Sequence, residues 1–151
     1  MDGFRERLKR YPTLGLDTSI FLYHIEENTE YLGITQALLS GIETGEWEAL
    51  TSTITLMELL VRPLQLEQEE VARKYEVLLG NFPHLRIVDI DRDVTRKAAH
   101  LRAAFGTRPA DALQVAACLV HGAAAFVSND LRLERMVSEI EIFSLDRWIS
   151  S

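Results

Sequence analysis

The chain has 151 residues, 47% apolar and 26% charged, and its 23 acidic against 16 basic residues give a formal net charge of −7. A chain of this length buries roughly 70% of its unfolded surface on folding, so it needs no disulfide or structural metal to build a core. No apolar run approaches the ~20 residues of a membrane helix, and collagenous, disordered, disulfide-rich and membrane classes are excluded.

The single cysteine, Cys118, cannot form an internal disulfide, which points to a reducing, cytoplasmic setting. No cleaved leader is expected, because Met1–Arg10 carries Asp2 and Glu6 and no apolar stretch follows. With a pI near 5.1 the chain is a poor non-specific polyanion binder. Nucleic acid at one local site stays open, since bound divalent cations invert the field of an acidic cluster.

Repeats, low-complexity tracts and linkers are absent, so one domain is expected over 1–151, with 1–12 as a helical N-terminal extension. There, Phe4, Leu8 and Tyr11 fall at helical spacing among Arg5, Arg7, Lys9 and Arg10. Thr13–Leu16 reads as a strand ending at Asp17. Tyr31–Ile42 reads as a helix closed by Gly45, Glu48–Ser52 as a strand, and Ile54–Val61 as a helix that Pro63 ends. Glu67–Leu79 is amphipathic, with Val71, Tyr75, Leu78 and Leu79 on one side, and stops at Gly80-Asn81. Leu85–Ile90 is the clearest strand, and Asp91 caps a helix over 93–105. A loop at Gly106–Pro109 precedes an apolar helix, Ala110–Val120. Ala125–Val127 is a strand, Leu131–Val137 a short helix and Ile140–Phe143 a last strand. The alternation predicts βαβ units: an α/β fold of three layers, α/β/α, around a central, mainly parallel sheet of four or five strands.

Four acids stand alone in apolar surroundings. Asp17 is the only formal charge from Leu14 to Ile25, Glu58 from Ile54 to Val61, Asp111 from Ala110 to Val120, and Asp130 from Gly122 to Leu131. Each has a structural reading of its own. Asp17 and Asp130 suit helix or turn caps, and Asp111 suits the first turn behind Pro109, where the helix dipole favours an acid. Glu58 is harder to explain, because it shares a helical face with Ile54 and Val61, where an unpaired charge costs several kcal/mol. Placement joins the four: open α/β sheets bind ligands outside the carboxyl ends of their strands, where all four acids are expected. Carboxylates gathered there repel one another unless a cation holds them. Hard oxygen donors without His or Cys select Mg²⁺ or Mn²⁺.

Asp17-Thr18-Ser19 after the first strand, Thr55-Leu56-Met57-Glu58 in an early helix, Ala110-Asp111-Ala112-Leu113 opening a late helix and Ser128-Asn129-Asp130 after the next strand resemble, in order and spacing, a PIN-domain ribonuclease close to the VapC-type toxins. The resemblance runs from about Leu14 to the C-terminus. It implies that Asp17, Glu58, Asp111 and Asp130 bind divalent metal, Mg²⁺ with Mn²⁺ able to substitute, and that Ser128 stands where a Thr is usual. It also implies an endoribonuclease leaving a 5′-phosphate, a cognate antitoxin, a homodimer or higher assembly, and a prokaryotic toxin–antitoxin role. One or two divalent ions would neutralise phosphate oxygens, lower the pKa of a bound water and stabilise the leaving 3′-oxygen. In that scheme Asp17 and Asp111 are central ligands, Glu58 and Asp130 outer ligands or water-orienting groups, and Ser128, Thr18 and Ser19 accessory hydrogen bonders. Arg108 either contacts phosphate or pairs with one of the acids.

Other residues carry blander roles. His24 and His100 have no nucleophile at catalytic spacing, Cys118 is core, and Trp47 and Trp148 are packing anchors. A haloacid-dehalogenase phosphatase needs an acid where Ser19 stands, a receiver domain needs a Lys after Lys97, and no Gly-rich phosphate loop exists. The rivals that remain are a non-catalytic PIN-like binding or scaffold module and a housekeeping RNA-processing nuclease.

Overall fold

The computed structural model describes residues 2–149. Strands β1 (Thr13–Leu16), β2 (Glu48–Ser52), β3 (Leu85–Val88), β4 (Ala125–Ser128) and β5 (Glu141–Ser144) form one sheet, ordered β3-β2-β1-β4-β5. Every neighbouring pair is parallel, with Leu14 opposite both Ala49 and Ala125. The chain winds outward from β1 to β3, then crosses back to place β4 on the other side of β1. That reversal makes the carboxyl ends of β1 and β4 the switch point of the sheet.

Strand residues alternate between two cores, as the period of two requires. Leu14, Leu16, Ala125 and Val127 pack toward α1 (Asp2–Leu8), α2 (Thr18–Ile25), α3 (Leu32–Thr44), α4 (Thr53–Gln65) and α5 (Glu69–Gly80). Leu50 and Phe126 pack toward α6 (Arg92–Phe105), α7 (Pro109–Val120) and a 3₁₀ stretch, Leu131–Met136. The result is the three-layer α/β/α arrangement with five strands. Gly15 allows α7 to lie close on β1: a Cβ there would stand 2.3 Å from the Cys118 sulfur. A short helix α8 (Asp146–Ile149) follows β5, and its Trp148 packs against Phe4 and Phe143.

Several local expectations are corrected. Helix α2 carries no amphipathic signal, because it is wedged against α3, α4 and β4 and is apolar nearly all round. Pro63 lies inside α4 rather than ending it. It falls in the last turn, where only one N–H is forgone, and the N–H groups of Leu66, Glu67 and Gln68 close the end on Arg62, Leu64 and Pro63 carbonyls. The buried line of α4 is Thr55, Leu59 and Pro63, not Ile54, Glu58 and Val61; Val61 is 45% exposed. On α5, Ala72 and Leu79 are buried whereas Leu78 is 67% exposed, since this helix packs mainly on α4 and the edge strand β3. The clearest predicted strand, β3, is that edge strand and ends at Val88.

Candidate active site

Asp17 directly follows β1, with its N–H bonded to the Val127 carbonyl at 3.0 Å. Its extended backbone (φ −80°, ψ 159°) makes it the N-cap of α2, and Oδ1 accepts from the Thr18 N–H at 2.8 Å. Oδ2 accepts from Ser128 Oγ at 2.6 Å and from Ser19 Oγ at 3.4 Å. The cap role is therefore real, and it leaves the carboxylate at the switch point. Burial pushes the Asp17 carboxyl up; its bonds from Ser128 and Thr18 pull it back, and the charges of Asp111 and Glu58 push it further up.

Asp130 follows β4 and caps the 3₁₀ stretch, accepting from the Arg132 N–H at 3.0 Å. Ser128 Oγ, fully buried, accepts from the Asp130 N–H at 3.1 Å while donating to Asp17, so one hydroxyl joins the two strand-end acids. Asp111 lies in the first turn of α7, behind Pro109 at the helix start. Glu58 stands on the exposed side of α4 and accepts from Thr18 Oγ1 at 2.6 Å. The four carboxylates line one cleft of about 450 Å³, together with Thr18, Ser19, Tyr23, Arg108 and Arg132.

Positive charge in the cleft comes from two arginines. Arg108 bridges Asp111 (3.1 Å) and Asp130 (3.3 Å), and Arg132 forks onto Asp130 at 2.9 and 2.7 Å. The Arg132 fork, more than any other contact, holds the Asp130 carboxyl below its usual value. Of the two sequence readings of Arg108, the ion pair is the one present. Among the described residues, no three His, Cys, Asp or Glu side chains stand close enough to grip one metal ion in this arrangement. The donor set itself fits a hard cation: every donor is an oxygen, and Asp17 sits in the negative field of two neighbouring carboxylates.

Two cleft-side residues escape the sequence reading. Arg132 is an ordinary exposed arginine in the sequence and carries no signal. Gln114, 2% exposed behind the carboxylates, did carry one: it is the lone polar side chain from Ala112 to Cys118. His24 and His100 contribute nothing to the cleft, and Cys118 and Trp47 are buried core residues.

A PIN-domain family model matches residues 15–138. No curated protein sequence matches the chain significantly. Similar solved structures include a toxin-antitoxin complex from Klebsiella pneumoniae, with 18% identity, a TM-score of 0.66, and 88% of this chain and 97% of that one covered. VapBC2 from Rickettsia felis, bound to a DNA fragment from its promoter, aligns with 19% identity and a TM-score of 0.65 over 87% and 98%. DNA-bound VapBC from Salmonella typhimurium aligns with 23% identity and a TM-score of 0.63 over 88% and 97%. At such identities the likeness is one of fold, whereas the family match spans the strand-end acids, so the chain belongs to the PIN-domain family.

Proposed function

We propose that this chain is an endoribonuclease dependent on Mg²⁺, with Mn²⁺ able to substitute, and the toxin of a prokaryotic, cytoplasmic type II toxin–antitoxin pair. The observation that carries the reading is the meeting of Asp17, Glu58, Asp111 and Asp130 in one cleft at the switch point of the sheet. PIN domains are generally nucleases, which supports a hydrolase acting on nucleic acid. Residues 1–151 are read as one PIN-like domain, with 1–12 its N-terminal extension.

Asp17 and Asp111 would be the central metal ligands, with Glu58 and Asp130 the outer ones. Bound divalent metal supplies neutralisation of the phosphate oxygens and a more acidic water. Ser128 and Ser19 fix the Asp17 carboxylate, and Thr18 fixes Glu58. Arg108, 61% exposed on a long side chain, can leave Asp111 and Asp130 for a substrate phosphate, where its planar fork matches the anionic oxygens.

An antitoxin partner and a homodimer or higher assembly belong to the same reading. The similar solved structures include one named a toxin-antitoxin complex. In this chain α4 and α5 leave Met57, Val61, Leu64, Val77 and Leu78 exposed, more apolar surface than a lone helix pair needs.

The test is cleavage of a mixed RNA pool by wild type and Asp111→Asn, purified in parallel and assayed with Mg²⁺, Mn²⁺ or EDTA. Wild type alone is expected to cut, EDTA to abolish cutting, and Asp111→Asn to lose at least about 100-fold. Equal behaviour of the two proteins in all conditions, with no Mn²⁺ binding by wild type, would instead support a scaffold role.

A further inference from the structure

Behind the carboxylates, between β2, α2, α4 and α7, lies a buried polar cluster: Thr18, Thr51, Ser52, Thr55 and Gln114 are each 5% exposed or less. Its protons can be assigned one at a time. Thr51 Oγ1 donates to the Leu16 carbonyl at 2.8 Å, so at the 2.7 Å contact between Thr51 and Thr55 it is Thr55 that donates. Thr18 gives its one proton to Glu58 Oε1. Thr18 and Thr55 then face each other at 3.1 Å with both protons committed elsewhere.

Two such oxygens can be met only by a donor, which turns the nitrogen of the Gln114 amide toward them. Gln114 Nε2 donates to Thr18 at 3.1 Å and to Thr55 at 2.7 Å. Ser52 Oγ accepts from the Ile54 N–H at 3.1 Å and donates to Gln114 Oε1 at 2.5 Å. Donation therefore runs in one direction, from Ser52 through Gln114 and Thr18 to Glu58. Its final bond is the only hydrogen bond on the Glu58 carboxylate among the described residues.

We propose that Gln114 is a positioning residue for Glu58: its two amide protons satisfy Thr18 and Thr55 together, which leaves the Thr18 proton free to hold Glu58 at the cleft. Without those protons Thr55 lacks a donor; the Thr51 proton is held by the Leu16 carbonyl, so the hydroxyl left to supply one is Thr18, which would turn away from Glu58. An amide suits the position because it accepts one proton and gives two; a carboxylate there gives none. The proposal rests on reading Glu58 as part of a metal centre.

The experiment is a double-variant cycle on Gln114→Met and Thr18→Val. It reads Mn²⁺ affinity of the RNA-free protein by calorimetry, kcat and KM on an RNA that wild type cleaves, and thermal unfolding. Gln114→Met is expected to weaken Mn²⁺ binding about tenfold and to lower kcat with KM unchanged. The double variant should be no weaker than Thr18→Val alone, because both act through one bond, and Thr18→Ser should bind like wild type. Wild-type Mn²⁺ affinity and kcat in Gln114→Met, or losses that multiply in the double variant, would overturn the proposal. Should Gln114→Met not fold, Gln114→Glu keeps the shape without protons for Thr18; the same loss supports the proposal and wild-type affinity overturns it. A wild type that neither binds Mn²⁺ nor cleaves RNA removes the metal-centre reading and the role of Gln114 with it. A wild type that does both beside indifferent variants removes the role of Gln114 alone.

Discussion

One buried hydroxyl links the two strand-end carboxylates. Ser128 donates to Asp17 and accepts from the backbone of Asp130, so its loss leaves two half-buried groups, a carboxylate oxygen and an N–H, each short of a partner. Unsatisfied buried groups cost about 1–3 kcal/mol each, against about 1 for an ordinary bond. Ser128→Ala is therefore expected to lower unfolding stability by about 1–3 kcal/mol in urea, whereas Ser128→Thr keeps the hydroxyl and much of the stability. At this scale the sequence was readable where a charge stood alone. Asp17, Asp111 and Asp130 are conspicuous because their neighbours are apolar, and each sits at the strand-end edge expected of it. Glu58 was found through a burial that does not exist: α4 turns Thr55, Leu59 and Pro63 inward and leaves Glu58 exposed. Arg132 was illegible, since an exposed arginine stands out only when its partner's position in space is known.

At the scale of elements, periodicity predicted most boundaries and failed where packing is lopsided. Helix α2 is covered on several sides and shows no polar stripe to reveal its period, and α5, covered on one side only, buries fewer apolar residues than its pattern offers. The face assignment of α5 has a direct test in two adjacent leucines. Leu79→Ala should cost about 2–5 kcal/mol, while Leu78→Lys should change stability by less than about 0.5 kcal/mol in urea. Equal costs would mean that α5 is rotated from its described setting. The C-terminal elements have a pH signature. Arg147 grips Glu134 at 2.5 and 2.6 Å, tying α8 to the 3₁₀ stretch, and this contact is the main reason the Glu134 carboxyl lies below its usual 4.5. Its pKa is lower folded than unfolded, so the bond's contribution is present above 4.5 and lost as pH falls through the folded value. Solvent exposure keeps the effect small. The Tm of wild type is expected to exceed that of Arg147→Ala slightly at neutral pH and to converge on it in acid; a gap that widens in acid would contradict the assignment.

For the molecule as a whole, the net charge of −7 and, on the proposed reading, the acidic cleft would let cations act on the folded state in two different ways. General screening relieves repulsion across the surface and follows ionic strength, whichever salt supplies it. Occupation of one cleft stabilises only to the extent that the folded chain binds and the unfolded chain does not, and above the dissociation constant it grows with the logarithm of the ion concentration. At a free Mn²⁺ concentration a hundredfold above the dissociation constant, that linkage amounts to about 2.7 kcal/mol, a rise in Tm of about 5–10 °C for a domain of this size. Wild type is therefore expected to show a rise in Tm with Mn²⁺ at constant ionic strength that sets in near the dissociation constant and then follows the logarithm of the ion concentration. Asp111→Asn keeps nearly all of the surface charge and should show little rise, because the ionic strength is held constant. The comparison isolates the cleft, because Arg108 and Arg132 already compensate Asp111 and Asp130, and a divalent ion must displace those guanidiniums before it gains both carboxylates. That competition lowers the apparent affinity for the ion, so Arg108→Ala should move the onset of the rise to lower Mn²⁺ concentration and give a larger rise in Tm at any concentration above it. Equal rises in wild type and Asp111→Asn would assign the stabilisation to the general surface and not to the cleft.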